Sequence, residues 1–483
     1  MSIQAESMPA PAQTTVPHFF NTLSGTVEEF RPGEDHVVRM YSCGPTVYDY
    51  GHIGNFRTFV FVDILRRFLK QSGYRLQHVM NITDVDDKTI RGAREAGVPL
   101  STFTDEFKGM FFEDAEALRI KRANEYPSAT DQRYIDRMIS MISTLIEKGL
   151  AYQADDKSVY FRIHNFPNYG KLSHIDLTQL QSTGRVSHDE YDKEHIGDFA
   201  LWKAWDADDG EVKWDSPWGC GRPGWHIECS AMATALLGDE IDIHCGGVDN
   251  IFPHHEAEIA QSEGVTGKKF VRMWLHCAHL LVDGQKMSKS LGNFYTVPDV
   301  LAKGYSGREL RYALIRVHYR TQLNFTWDGM NEARESLGRI DDWLRRLREN
   351  AENAQDRTSN PERLTNSAFE DALDDDLNIS AALGFLFETI RETNRAMDRN
   401  ELDPAAAASW LQWWERVDST LALGGGETTD IPADIIALAE SRQQARLAKD
   451  WKKSDELRDK LYALGWEVRD TKDGQKIAKR AGA

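Results

Sequence analysis

No apolar run in this 483-residue chain is long enough to cross a bilayer, so a membrane-spanning helix is excluded and no membrane partner is expected. The N-terminus has no basic region followed by an apolar core. Met1 to Pro17, polar and carrying Pro and Gln, is therefore expected to be a flexible tail, not a signal peptide or an anchor. Cysteine is scarce: five residues, an odd number, widely spaced and without a C-x-x-C pair. That excludes a disulfide framework and points to reduced core thiols or metal ligands in a cytoplasmic protein. Positive charge is in deficit, 58 Lys and Arg against 76 Asp and Glu, and the net charge of -18 argues against indiscriminate nucleic-acid binding. The deficit is not uniform. From Arg442 onward twelve Lys/Arg stand against seven Asp/Glu, a balance compatible with one localised RNA contact or with an ordinary solvated helix. Internal repeats and low-complexity blocks are also missing.

What is present suffices for several domains. Residues 18–125 alternate strand-like and helix-like segments, the pattern of an α/β unit with a parallel sheet. Residues 126–223 break that pattern with a helix from Thr130 to Lys148, short strands and loops rich in Gly, His and Asp, as an insertion would. The α/β pattern resumes over 224–270, and 271–325 carries a strand and a lysine-rich loop. From 326 to 423 the periodicity is helical, with helices expected at Glu332–Glu349, Ala368–Arg399 and Ala405–Leu423. A glycine-rich linker, 424–434, precedes a compact end unit, 435–483.

Three stretches carry chemistry. The first, Cys43 to Asn55, links the strand Val37–Tyr41 to a helix that begins near Phe59. It holds a thiol at one end and His52-Ile53-Gly54-Asn55 at the other. A helix N-terminus presents unpaired N–H groups and a positive dipole end, which makes this a natural phosphate site. The second is Lys286-Met287-Ser288-Lys289-Ser290, on a surface loop after an apolar strand and a Gly turn. Two lysines flanked by hydroxyls can hold a triphosphate, and Lys289 can neutralise charge that builds up on it. The third is dispersed: Cys229 in Gly224-Trp225-His226-Ile227-Glu228-Cys229, and His254 with Glu258, four residues apart and so on one helix face. Two thiolates, an imidazole and a carboxylate make a tetrahedral zinc set, but spacing alone leaves inert core thiols and surface charge as the alternative.

Taken together, these motifs resemble those of the cysteinyl-tRNA synthetase family of class I aminoacyl-tRNA synthetases. The likeness runs from about residue 18 to 474 and includes Asn81-Ile82-Thr83-Asp84, Phe252-Pro253-His254-His255-Glu256 and Asp371 to Asn378. The resemblance implies a Rossmann-like catalytic domain with an inserted connective domain, an α-helical bundle and a small C-terminal anticodon-binding unit. It implies zinc on Cys43, Cys229, His254 and Glu258, and a pocket for the substrate cysteine at Gly44, Thr83 and Trp225. ATP falls to His52, Gly54, Asn55, Lys286, Met287, Ser288, Lys289 and Ser290, with His52, Asn55, Lys286 and Lys289 serving catalysis and Mg²⁺ accompanying the nucleotide. Anticodon contacts fall to Arg446, Asp455 and Asp470. The expected partners are ATP, L-cysteine and tRNA(Cys), and a monomer is expected.

Departures from the family pattern are confined. Asn55 replaces a second histidine, and Cys245 stands where glycine is usual and is expected to be a core thiol. The G-x-G-x-x-G match at Gly219–Gly224 follows no clear strand and contains Pro223, so a dinucleotide site is rejected. Two rival functions share this core: a cysteine ligase acting on an amino-sugar, as in mycothiol synthesis, and a non-catalytic zinc- or RNA-binding protein. The resemblance of Arg442 to Asp470 to an anticodon-binding unit argues against the first, and the intact Lys286–Ser290 loop with the complete four-ligand set against the second.

Overall fold

The computed structural model describes residues 16–33, 35–175, 197–352, 367–425, 433–471 and 474–479. The expected tail (1–17) and linker (424–434) thus lie mostly outside the described residues. Four parallel strands form the central sheet, in the order Val271–Cys277, Ile241–Gly247, Val37–Ser42, Arg75–Met80. Successive side chains of a strand point to opposite faces. Val38 and Met40 accordingly join one apolar core and Tyr41 another, as do Met273 and Trp274. Both faces are covered, as a parallel sheet requires.

The helix Ile53–Gln71 covers one face and is buried almost all round. Its Arg57, 2% exposed, sends its guanidinium to the carbonyls of Ala278, His279, His318 and Thr321, tying the end of the sheet to the loop beyond it. The other face is covered by the helices Trp225–Leu237 and Gln132–Glu147. Sequence patterning groups Gln132–Glu147 with the insertion. The helix places Ile135, Met138 and Ile142 in one core with Tyr41 and Val79 of the sheet and with Val159, Phe161 and Leu201 of the insertion. Beyond this helix lies a separate antiparallel sheet of four short strands, Ala151–Gln153, Val159–Phe161, Phe199–Ala204 and Gly221–Pro223.

After the central sheet, Leu280–Val282 and Gln285–Lys286 form a hairpin through Asp283 and Gly284, and Leu280–Val282 also pairs in parallel with Leu323–Phe325. The helical part contains Trp327–Glu352, Ala368–Asp374, Ile379–Asp398 and Pro404–Leu421. The single helix expected over Ala368–Arg399 is broken at Asp375–Asn378. Asp376 and Leu377 take positive φ there, and the Asp376 carboxylate accepts hydrogen bonds from the Phe20 N–H (2.8 Å), the Tyr319 hydroxyl (2.6 Å) and Arg320 Nε (2.6 Å). The Asp376 N–H, turned out of the helix, donates to the His18 carbonyl at 2.9 Å, so the break leaves it paired. The end unit, helices Ala433–Leu447 and Trp451–Ala463 with the hairpin Trp466–Thr471/Gly474–Lys479, has its own small core of Ile435, Ala439, Leu461, Trp466 and Val468.

Candidate functional site

The signature loop leaves the strand Val37–Ser42 at its C-terminal end, the edge at which parallel sheets gather ligands. Gly44 is forced by close packing, since a Cβ there would lie 1.8 Å from the Asn81 carbonyl oxygen. The loop ends at His52, which caps the helix Ile53–Gln71. His52 Nδ1 accepts from the Asn55 N–H (3.0 Å), and Asn55 Oδ1 accepts from the His52 N–H (3.1 Å). Through its amide carbonyl, a group that a histidine side chain lacks, Asn55 is thus half of a capping box. Burial holds the His52 imidazole below its ordinary range. With Nδ1 accepting, the neutral ring carries its proton on Nε2 as a donor.

Two cavities meet at this loop. One, of about 440 Å³, is walled by Gly54, Asn55, Gly246, Gly247, Lys286 and Met287 among others. The second, of about 530 Å³, holds Thr46, Trp225 and Lys289. Gly44, His52 and Asn55 line both. The two lysines of the lysine loop therefore serve different cavities. Lys289 Nζ is ion-paired with Asp49 of the signature loop and lies 5.2 Å from the Phe294 ring centroid. Ser288 and Ser290 bond each other through their hydroxyls at 2.7 Å. Of the expected cysteine pocket, Gly44 and Trp225 share the second cavity. Thr83 is buried, its N–H donating to the Pro45 carbonyl and its hydroxyl accepting from Asn81.

At the base of the site the structure brings Cys43, Cys229, His254 and Glu258 together, their ligating atoms all within 4.8 Å of one another. Cys229 comes from the first turns of Trp225–Leu237, His254 from the turn Ile251–His255, and Glu258 from the first turn of Glu256–Thr266. Trp225 stacks on the His254 ring at 4.1 Å. Burial alone would raise the Cys229 thiol, but the hydrogen bond from Cys43 and the nearby His254 bring it down to about 6. Burial likewise opposes ionisation of Glu258, yet His244 and His254 hold it at about 2. Against the same burial penalty, Cys229 and Glu258 push His254 up to about 10. Cys43, buried beside Cys229, is pushed well above the usual thiol range. Thiolate and carboxylate thus stabilise positive charge at this point and are stabilised by it, as a donor set for a dication requires. Two sulfurs, one imidazole and one carboxylate suit zinc.

A ring of histidines supports this set, and it did not come out of the sequence. His244 Nε2 bonds Glu258 Oε2 at 2.9 Å, leaving Oε1 toward His254 Nε2 at 3.1 Å. His226 Nδ1 lies 2.9 Å from His254 Nδ1. His255 Nε2 is 3.2 Å from Cys43 Sγ, and its Nδ1 bonds His276, which continues to Thr22 Oγ1. Cys43, His244, His255 and Glu258 also lie within ligand distance of one another. However, the second nitrogen of His255 is committed to His276, and His244 is stacked on Trp274 at 4.6 Å with its Nε2 on the outer carboxylate oxygen. That is the position of partners that orient ligands. The visible signals were His255 beside His254 and His244 within a buried strand. Cys245, the expected core thiol, is fully buried, and burial pushes it far above the ordinary thiol range, so it stays protonated.

The anticodon candidates do not join this site. Arg446 lies in the last turn of Ala433–Leu447 with its guanidinium 5.7 Å from the Trp451 ring. Asp455, on the next helix, pairs with Arg458 at 3.3 Å. Asp470 is a backbone member of the strand Trp466–Thr471, paired with Gln475.

Comparison with known proteins places these features. Residues 29–335 match the family described as tRNA synthetases class I (C) catalytic domain. Residues 368–421 match the DALR domain, and 428–477 the cysteinyl-tRNA ligase anticodon binding domain. The cysteine–tRNA ligase of Chlamydia muridarum is 49% identical over 474 residues, covering 95% of this chain and 99% of the relative. That of Chlamydia pneumoniae is 50% identical over 465 residues, covering 95% and 98%. A Mycobacterium tuberculosis methionyl-tRNA synthetase in complex with methionyl-adenylate shares the fold at 15% identity, with a TM-score of 0.56 over 80% of this chain and 88% of that one. Near-complete coverage at half identity, on a class I fold, means that the chain belongs to the cysteinyl-tRNA synthetase family.

Proposed function

We propose that the chain is a cysteine–tRNA ligase that activates L-cysteine with ATP, releasing pyrophosphate, and passes the cysteinyl group to the 3′ end of tRNA(Cys). The observation that carries this reading is the meeting of a Cys43–Cys229–His254–Glu258 cluster and a nucleotide-sized cavity at one loop. The substrate carboxylate is already a nucleophile, so no general base is needed. Catalysis is positioning plus neutralisation of charge on the phosphates. The carboxylate oxygen bonds the α-phosphorus as the bond to the bridging oxygen breaks, and pyrophosphate leaves with the electron pair. His52 donates from Nε2 to the phosphates, beside the Asn55 amide. Lys289, held by Asp49 in this state, exchanges that carboxylate for the triphosphate. Lys286 and Met287 border the adenosine cavity, and Mg²⁺ accompanies ATP.

Cys43, Cys229, His254 and Glu258 would hold the zinc, and Gly44, Thr83 and Trp225 form the cysteine pocket over it. Bound there, zinc supplies a soft ligand position that a thiolate fills and the hard hydroxyl of serine does not comparably fill. Selection of that strength removes the need for editing. Arg446, Asp455 and Asp470 read the anticodon, and the protein acts as a cytoplasmic monomer. Among the described residues no helix is long and apolar enough to cross a membrane. The match of residues 428–477 to an anticodon-binding domain favours tRNA over an amino-sugar as acceptor. The test is cysteine-dependent ATP–pyrophosphate exchange on protein of measured zinc content. Cys229→Ala should lose zinc and most of the exchange, and full-rate exchange by that variant would overturn the zinc reading.

A further inference from the structure

The helix that carries Glu258 is gripped from outside by a loop that the proposed activation step does not use. Residues 168–175 follow the strand Val159–Phe161 and turn tightly, with the Ile175 N–H donating to the Gly170 carbonyl at 3.1 Å. Gly170 is required there, since its φ is +97° and a Cβ would lie 2.4 Å from the Ile175 carbonyl oxygen. Tyr169 and Leu172 anchor the loop in the core that holds Phe161 and Phe199 of the antiparallel sheet. The turn aims two N–H groups and a hydroxyl at one spot, and the Glu256 carboxylate fills it. Its Oε2 accepts from the Leu172 N–H and the Ser173 N–H, both at 2.9 Å, and from the Ser173 hydroxyl at 3.0 Å. Glu256 is fully buried and opens the helix Glu256–Thr266, two residues from both His254 and Glu258. Seven residues further along that helix, and so on the same face, Glu263 pairs with Lys171 at 2.5 Å.

The same loop reaches the other half of the ligand set. His174 Nε2 donates to the Thr22 carbonyl at 3.0 Å, and Thr22 Oγ1 lies 2.7 Å from His276, the residue that bonds His255 beside Cys43. Lys171 to His174 thus hold, within four residues, both the helix of Glu258 and the chain of groups that ends at Cys43. Bonds to a buried charge are strong, and breaking them leaves the charge unpaired, so loop and carboxylate fix each other's position. We infer that residues 168–175 form a clasp on the zinc site, with Glu256 as its principal positioning residue, so that metal occupancy and docking of the loop strengthen each other. This rests on the zinc reading above and adds a path from the metal to the antiparallel sheet. The coupling is reciprocal. A clasp that orients the ligands raises metal affinity, and a metal that fixes the ligands tightens the clasp.

The test uses the full chain, stripped of metal and then loaded with zinc or cobalt(II), as wild type and as Glu256→Ala, Glu256→Gln and His174→Ala. Three quantities are read: zinc affinity by chelator competition, the visible absorption of the cobalt form, and amide hydrogen exchange at Leu172 and Ser173. Glu256→Ala should weaken zinc about tenfold and alter the cobalt bands, while Glu256→Gln, which keeps an acceptor oxygen in the cradle, restores most of both. In the wild type, zinc should slow exchange at the Leu172 and Ser173 amides about tenfold. His174→Ala, an exposed change that leaves the core intact, should weaken zinc by less and reduce that slowing. Should Glu256→Ala fail to fold, the wild-type exchange and His174→Ala still decide. Exchange at Leu172 and Ser173 that is the same with and without zinc would overturn the clasp, as would zinc affinity and cobalt bands unchanged in folded Glu256→Ala. A wild-type protein that binds neither metal would instead overturn the zinc reading beneath it.

Discussion

Glu258 shows how one residue's role depends on another's placement. Its two oxygens are divided, Oε2 to His244 and Oε1 toward His254. A carboxylate so divided offers a metal one defined oxygen. His244→Phe keeps the stacking volume against Trp274 but removes that bond, and should weaken zinc binding about 10- to 100-fold in a chelator competition. Undiminished affinity would mean that His244 merely fills space. The four residues of the proposed zinc site, which the structure brings together, stood out in the sequence because a family motif surrounds each of them. The histidines behind it were not. His244, His255 and His276 meet through strand register and a turn, and neither 3.6- nor 2-residue periodicity encodes a contact between elements. Asn55 was legible as a departure, but its use as a cap emerges only when its carbonyl oxygen is seen on the His52 N–H.

At the scale of elements, the parallel sheet and its covering helices match the sequence pattern closely, because strand-like and helix-like segments alternate along the chain as βαβ units do. Helix ends and breaks match it less well. Asp375–Asn378 reads as helical since nothing local forbids it, and distant Phe20, Tyr319 and Arg320 decide otherwise. The helix Leu100–Ala117 carries a different kind of conflict. Asp114 is 5% exposed, and its Oδ2 has no hydrogen-bond partner among the described residues. Burial, with the charge of Glu113 adding to it, raises its carboxyl from 3.8 to about 7. The folded state therefore binds this proton more tightly than the unfolded chain. The stability linked to it is complete below about pH 4 and is lost as pH rises to about 7. Asp114→Asn should raise stability at pH 8 by on the order of 2 kcal/mol and change it little at pH 4. Denaturant midpoints at the two pH values check this, and an equal shift at both would refute it.

For the whole molecule, the end unit stands on a core of its own, built from Ile435, Ala439, Leu461, Trp466 and Val468. A domain with its own core can be removed without unpacking its neighbours. Truncation before Ile435 should leave adenylate formation intact and weaken tRNA charging, and unchanged charging would remove Arg446, Asp455 and Asp470 from anticodon recognition. The metal cluster has the opposite architecture. Cys43 and Glu258 stand 215 positions apart, with an entire antiparallel sheet between them in the chain. At about 5–20 residues per second, a ribosome needs roughly 10–40 seconds to travel from the first to the last ligand. For most of that interval the nascent chain presents Cys43 as a solitary thiol, unable to close a metal site and open to oxidants or to the wrong ion. The residues proposed to choose cysteine thus come together only after more than half of the chain has been made, and their first member waits unprotected until they do.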